Sequence, residues 1–167
     1  YDNGVKSSEG LLIDNKPDGY WKTFYETGII KSEGNRLNFE LDSLWIFYNE
    51  KGQIILEINY KNGSKNGIKR TYSKDGLIEE NYFKDIKQGY TKQYYPDGKI
   101  KTITPFMVNK ENGLALEFSK DSIIITLTEY KFGYVINKEK VNRLDENNFK
   151  DGKWIEFFPD GSTKFEG

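Results

Sequence analysis

The chain contains no cysteine and no histidine, with only 1 Met, 3 Trp and 4 Pro among 167 residues. Without histidine there is no imidazole to serve as a general base near neutral pH or to ligate a transition metal. Without cysteine there is no thiol nucleophile, no thiolate zinc ligand and no disulfide. A disulfide-free domain folds in oxidising and reducing compartments alike, so cysteine usage does not place the protein. An excess of one charge is also missing: 25 Lys+Arg face 26 Asp+Glu, for a net charge of −1. Interspersed charges in that balance make no field to hold a polyanion, which argues against a nucleic-acid partner. No apolar run approaches the roughly 18 residues that suggest a membrane-spanning helix. Helical periodicity is absent as well, and only Val141 to Phe149 leaves room for a short helix, a loop being the alternative.

What the chain has is aromatic residues, 16% of the total, with 12 Tyr and 11 Phe. These residue types favour strands and contact surfaces. The chain opens at Tyr1 in mid-pattern and without Met, which leaves room for an upstream signal peptide or anchor.

The dominant feature is an internal period. Gly19, Ser43, Gly67, Gly89, Gly113 and Gly152 each stand nine residues before a second marker, namely Gly28, Gly52, Gly76, Gly98, Ser122 and Gly161. Successive first markers lie 24, 24, 22, 24 and 39 residues apart. The last interval points to an insertion of about 15 residues, over about 134–149. Between the markers runs a stretch rich in aromatic and β-branched residues, such as Tyr20-Trp21-Lys22-Thr23-Phe24-Tyr25. The second marker closes a turn, spelled Pro96-Asp97-Gly98 and Pro159-Asp160-Gly161. Proline presets φ at the first turn position and glycine accepts the left-handed conformation that ends a three-residue hairpin loop. The expected fold is therefore all-β: an elongated, twisted antiparallel sheet of about six tandem hairpins of about 24 residues. It forms one domain over 1–167, with a partial unit 1–16 and units from about 17, 41, 65, 87, 111 and 150.

Counting outward from a three-residue loop pairs Phe24–Ile30, Tyr48–Ile54, Tyr72–Ile78, Tyr94–Ile100, Phe118–Ile124 and Phe157–Thr163. Aromatic residues opposite β-branched ones read as a hydrophobic spine. On the other face the same count sets Trp21, Trp45 and Trp154 opposite Glu33, Glu57 and Glu166. Polar pairs follow on that face: Thr23–Lys31, Thr71–Glu79, Gln93–Lys101 and Glu156–Lys164. Spaced aromatics on a polar face suit recognition. The plainer reading is that each tryptophan packs over a neighbouring glycine.

The unit G-x-W-x-x-F/Y-Y-x-x-G-x-x-x-x-E stands as Gly19-Tyr20-Trp21 through Phe24-Tyr25 and Gly28 to Glu33. It stands again as Gly152-Lys153-Trp154 through Phe157-Phe158 and Gly161 to Glu166. This unit resembles the variant MORN repeat. Lys69, Thr91 and Ala115 replace the tryptophan in the middle units, and Ser122 replaces a glycine. The resemblance implies successive hairpins in one sheet, no shared catalytic residues and a role in contact with proteins or, for some members, lipid. Bacterial chains of this kind are similar to proteins labelled antitoxins, and many are secreted or lipid-anchored. The resemblance thus favours a secreted, periplasmic or anchored location over the cytoplasm. Trp-x-x-Tyr-Tyr units are also similar to choline-binding cell-wall repeats, in which aromatics cage a quaternary ammonium, but the Gly-Trp pair of those repeats is missing.

Motifs that carry chemistry are sparse. Asp14 to Gly19 lacks the alternating ligands and closing Glu of a calcium loop and reads as a turn. Asn62-Gly63 to Gly67 lacks the Lys-Ser/Thr of a phosphate loop, and no Gly-x-Ser-x-Gly elbow occurs. The expected function is a non-enzymatic scaffold for a protein or peptide partner, without cofactor or metal, possible antitoxin or envelope roles included. The alternative is a surface module for glycan, choline or lipid, with membrane contact through an upstream anchor or lipid binding. The candidate binding residues are Trp21, Trp45, Trp154, Glu33 and Glu57, joined by Arg143 and Leu144 of the insertion.

Overall fold

The computed structural model describes residues 1–147, 149–157 and 163–166. The strands are β1 (Ser8–Ile13), β2 (Lys16–Phe24), β3 (Ile30–Leu37), β4 (Glu40–Tyr48), β5 (Ile54–Lys61), β6 (Ser64–Ser73) and β7 (Gly76–Phe83). They continue with β8 (Ile86–Lys87), β9 (Gly89–Tyr94), β10 (Ile100–Met107), β11 (Lys110–Glu111), β12 (Gly113–Phe118), β13 (Ile124–Lys131) and β14 (Tyr134–Lys140). These form one 14-stranded antiparallel sheet in which neighbours follow chain order from β1 to β14. Its two end strands do not pair with each other, so the sheet is open, as the repeat predicts.

Two kinds of turn alternate along the chain. At the tip next to each second marker, the Gly28 N–H donates to Tyr25 O and the Tyr25 N–H to Ile29 O (2.9 and 2.8 Å), with Gly28 at φ +83°. Gly52 and Gly98 do the same work at φ +75° and +84°. At the other edge sit two-residue turns with both φ values positive: Asp14-Asn15, Asn38-Phe39, Asn62-Gly63, Lys84-Asp85, Val108-Asn109 and Phe132-Gly133. This mirror-image turn matches strand twist and links neighbouring hairpins. The segment Asp14 to Gly19 is thus a turn entering β2, as expected.

The sequence count of pairs holds at the tips and fails one step further in. Phe24↔Ile30, Tyr48↔Ile54, Tyr94↔Ile100, Phe118↔Ile124 and Phe157↔Thr163 are partners, each followed by a bulge. The bulge moves all later partners by one residue. Trp21 lies opposite Gly34, Trp45 opposite Ile58 and Gly34, and Ile155 rather than Trp154 faces Glu166. The polar pairs become Thr23↔Ser32, Gln93↔Thr102 and Glu156↔Phe165. The third hairpin differs again: it has a two-residue loop and no bulge, so Tyr72 meets Leu77, Thr71 meets Ile78 and Arg70 meets Glu79. Loss of one loop residue and one bulge residue accounts for the short 22-residue interval.

The spine is not the most buried face, contrary to expectation. Phe24, Tyr48, Tyr72, Tyr94 and Phe118 are half-buried, while Ile54 and Ile78 are exposed. The best-buried side chains of the sheet lie on the tryptophan face: Trp45 (4% exposed), Ile58 and Ala115, with Ser32, Thr91, Thr126 and Thr128. The spine sits at hairpin tips, where only neighbouring strands cover it. The tryptophan row runs through mid-sheet, where strands bulge at the first marker and bring adjacent backbone over the rings. The Trp45 indole N–H donates to Asn35 O (2.8 Å), and the Arg36 guanidinium lies 5.4 Å from the ring centre.

The C-terminal part departs from the expected insertion. Tyr134–Lys140 is β14, starting 24 residues after Lys110. The chain then continues through Val141 and Asn142 into a short hairpin, β15 (Arg143–Leu144) and β16 (Lys150–Asp151). Leu144↔Lys150 repeats the Phe118↔Ile124 pairing, and the Asp145 N–H donates to Phe149 O as Ser119 does to Ile123. The segment is therefore a further hairpin unit with a shortened return strand, neither helix nor free loop. Asn142 anchors the kink (φ +54°): its Nδ2 donates to Ile124 O and Ile155 O, and its Oδ1 accepts the Ile155 N–H. Strands β17 (Ile155–Phe157) and β18 (Thr163–Glu166) form the last hairpin. The expected Pro159-Asp160-Gly161 turn lies outside the described residues.

A Cβ added at Gly34 would stand 2.5 Å from the Trp45 ring. The backbone of Gly34 is not in the left-handed region, so the clash alone sets the cost. Gly34→Ala is expected to destabilise the fold by about 1–3 kcal/mol, the usual cost of overpacking. Urea unfolding of the variant against wild type measures it, and an unchanged midpoint would show that the indole swings aside freely.

Candidate functional site

The sequence-derived binding residues separate into three places. Trp21 and Trp45 serve the sheet: each lies against a glycine, and a Cβ at Gly10 would come within 2.0 Å of Trp21. Glu33 and Glu57 project from the opposite face, because partners across a ladder share a face and these pair with Lys22 and Arg70. The expected facing of tryptophan and carboxylate is therefore corrected by the bulge. Trp154 does sit beside the short hairpin: its indole N–H donates to Arg143 O (3.1 Å) and Lys150 Nζ lies 4.4 Å from its ring centre. Arg143 is paired with Asp151 (3.0 Å), and Leu144 is exposed.

The carboxylate face holds a row that sequence reading left unlinked. Glu33 accepts from Tyr48 Oη (2.6 Å) and Tyr20 Oη (2.8 Å), with Lys22 at 3.7 Å. Glu57 accepts from Tyr72 Oη (3.0 Å) and faces Arg70 (3.6 Å), whose Nε also donates to Glu79 (3.0 Å). Each motif glutamate thus receives the spine tyrosine of the following hairpin, 15 residues on. The Tyr48 hydrogen bond holds the Glu33 carboxyl below its ordinary value despite partial burial. Conversely, the bond to Glu33 pushes the Tyr48 phenol up to about 12. On the tryptophan face of the third hairpin, Lys69 stands where a tryptophan would. Glu80 there bridges Lys69 and Lys87, both at 2.7 Å. Burial would raise the Glu80 carboxyl, and the two ammoniums outweigh it and hold it low. All these groups have partners, as a structural network requires.

The edges of the sheet are less complete. At the mirror-image turns Ile13, Leu37, Phe83, Met107, Val108 and Phe132 are exposed. Val108 and Phe132 hold φ +49° and +50°, a region disfavoured for branched and bulky residues. A cleft of about 430 Å³ opens on this edge between Lys61, Asn62, Ser64, Asn66, Phe83 and Lys84. The opposite tips carry Glu26-Thr27, Glu50-Lys51, Lys74-Asp75, Pro96-Asp97 and Lys120-Asp121 instead. Among the described residues no three Asp or Glu side chains converge on a metal position.

Three stretches, residues 17–38, 41–62 and 87–107, match the model of the MORN repeat variant. Each spans one hairpin, from a strand leaving a mirror-image turn to the next such turn. No curated protein matches the chain. Repeats of this family are commonly protein- or membrane-lipid-binding modules and are generally non-catalytic.

The Glu33–Tyr48 pair sets an alkaline signature. A phenol whose folded pKa is raised keeps its stabilising bond in full below the unfolded value of about 10 and loses it as pH rises toward the folded one. Absorbance titration of the folded protein is expected to show one tyrosine ionising near 12. Tyr48→Phe removes that step and flattens the fall in thermal midpoint above about pH 10.

Proposed function

We propose that this chain, three stretches of which match the variant MORN repeat, is a non-catalytic binding module whose protein partner sits along the edge of mirror-image turns. One observation carries the reading. Val108 is 62% exposed at φ +49° and Phe132 is 51% exposed at φ +50°, where the other turns place Asn or Asp first, apart from Lys84. Left-handed backbone costs a residue with a side chain about 1–2 kcal/mol. Within the chain that strain is not offset by burying the side chains. Strained, exposed apolar residues on a rigid frame suit contact with another molecule. At the opposite tips the loop residues are polar, proline or glycine, and the exposed Ile54, Ile55, Ile78 and Ile123 beside them carry no left-handed strain. If the partner is a toxin, the module acts as an antitoxin, as the family resemblance suggests.

A second reading has its own support. Lys16, Lys61, Lys110 and Lys131 flank the same turns, and Lys84 lies within one. Lysines interleaved with exposed apolar side chains also suit an anionic bilayer surface.

The double variant Val108→Asn, Phe132→Asn separates binding from folding. Asparagine accepts the left-handed region, so the thermal midpoint is expected to stay level or rise. Affinity capture from the native source, read by mass spectrometry, is expected to lose the proteins that wild type enriches. Retention of the same proteins would move the contact surface elsewhere. For the second reading, sedimentation with vesicles containing phosphatidylserine should carry down wild type and not the variant.

A further inference from the structure

The unit that begins at Tyr134 has a full outgoing strand and a truncated return. In the preceding hairpin β13 runs eight residues beside both β12 and β14. Here the return strand β16 covers two residues, Lys150–Asp151, and the next first marker, Gly152, follows at once. The deleted stretch is the part that would have paired with β14. Among the described residues β14 pairs with β13 alone, and its other backbone edge has no strand beside it. On this edge Tyr134 is 75% exposed, and Val135 and Ile136 are 55% exposed each. Lys138 and Lys140 are exposed and form no ion pair among the described residues, whereas Glu139 meets Lys153.

Open strand edges attract another strand unless blocked, and this one lies inside the chain. Symmetric pairing with a second copy fits it badly. Antiparallel self-pairing about Asn137 would gather the four ammoniums of Lys138 and Lys140 on one face, and the bulge at Ile136 turns Tyr134 to the opposite face from Lys140, so the two do not match across the pair. A partner with acids opposite the lysines and apolar residues opposite 134–136 satisfies every position. The molecule already contains part of that arrangement: in β7, Glu80 bridges Lys69 of the outgoing strand β6 at 2.7 Å, and Tyr82 and Phe83 follow. We propose that the free edge of β14 receives an extended strand from a partner protein, antiparallel, with alternate acidic residues followed by apolar ones. This adds a strand-addition site to the turn-edge surface and does not depend on it.

The probe is a synthetic peptide of residues 77–84 carrying Ile78→Glu and Glu79→Thr, which places its two acids opposite Lys140 and Lys138 and keeps a neutral residue opposite Glu139. Fluorescence anisotropy is expected to show saturable binding to the full chain. A peptide with lysine at both acidic positions should bind about tenfold more weakly or worse, and the protein variant Lys138→Glu, Lys140→Glu should reverse that order. Two further peptides, N-methylated at alternate residues in opposite phase, test the backbone directly on wild-type protein. Only one phase blocks the hydrogen-bonding edge that faces β14, so one should bind and the other fail. Equal binding of both phases overturns strand addition even if the lysine variant does not fold. A concentration-dependent dimer in sedimentation that the acidic peptide displaces overturns the partner strand in favour of a second copy. Failure of the turn variant Val108→Asn, Phe132→Asn to alter capture leaves this assay unaffected, so the two surfaces are judged separately.

Discussion

The indole of Trp45 lies over the bare backbone of Gly34 and donates to Asn35 O, one strand away. Among the described residues no second layer covers either face of the long sheet, so burial of this kind must come from adjoining strands. Polar links do the same at both edges. Tyr1, Tyr25 and Tyr95 donate their hydroxyls to Phe24 O, Tyr48 O and Phe118 O, each 23 residues ahead. At the other edge the N–H groups of Gly63, Asp85, Asn109 and Gly133 donate to Leu41, Lys65, Lys87 and Glu111 carbonyls (2.8–3.0 Å). The glycine, tyrosine and turn positions of the repeat are therefore places where one hairpin touches the next.

Strand and turn positions were legible because turns are chemically spelled: a glycine nine residues after another, preceded by Pro-Asp, fixes a tip. The faces were not, because a bulge adds one residue without a marker of its own, and a slip of one exchanges the two sides of a strand. Lys31 and Ile55 occupy those positions without any glycine to signal them. Gly76 misled in the opposite way. It holds the marker position but begins β7, where an added Cβ would collide with Tyr94 O. The 39-residue interval read as an insertion because the hairpin inside it has lost both recognisable markers.

The candidate site was legible only in part. Tryptophan at a fixed place in a repeat signals both recognition and packing, and what distinguishes them is whether a glycine lies beneath the ring. That depends on register. Arg143, Leu144 and Trp154 were correctly brought near one another because they are close along the chain. The exposed turn residues were missed since nothing in the sequence around Val108 announces a left-handed conformation; only Asn109 beside it is a familiar turn residue. The glutamate–tyrosine row escaped for a related reason, the members of each pair being 15 residues apart and joined only across the ladder between neighbouring strands.

Links that reach only one neighbour also fix how the molecule resists force. Tension applied along the strand row meets the ladders one after another, so the sheet peels from an end, hairpin by hairpin, at low load. Shear applied along the strands loads all rungs of a ladder together and meets far greater resistance. The same chain is thus compliant in one direction and stiff in the perpendicular one, a spring whose softness is set by how its ends are held.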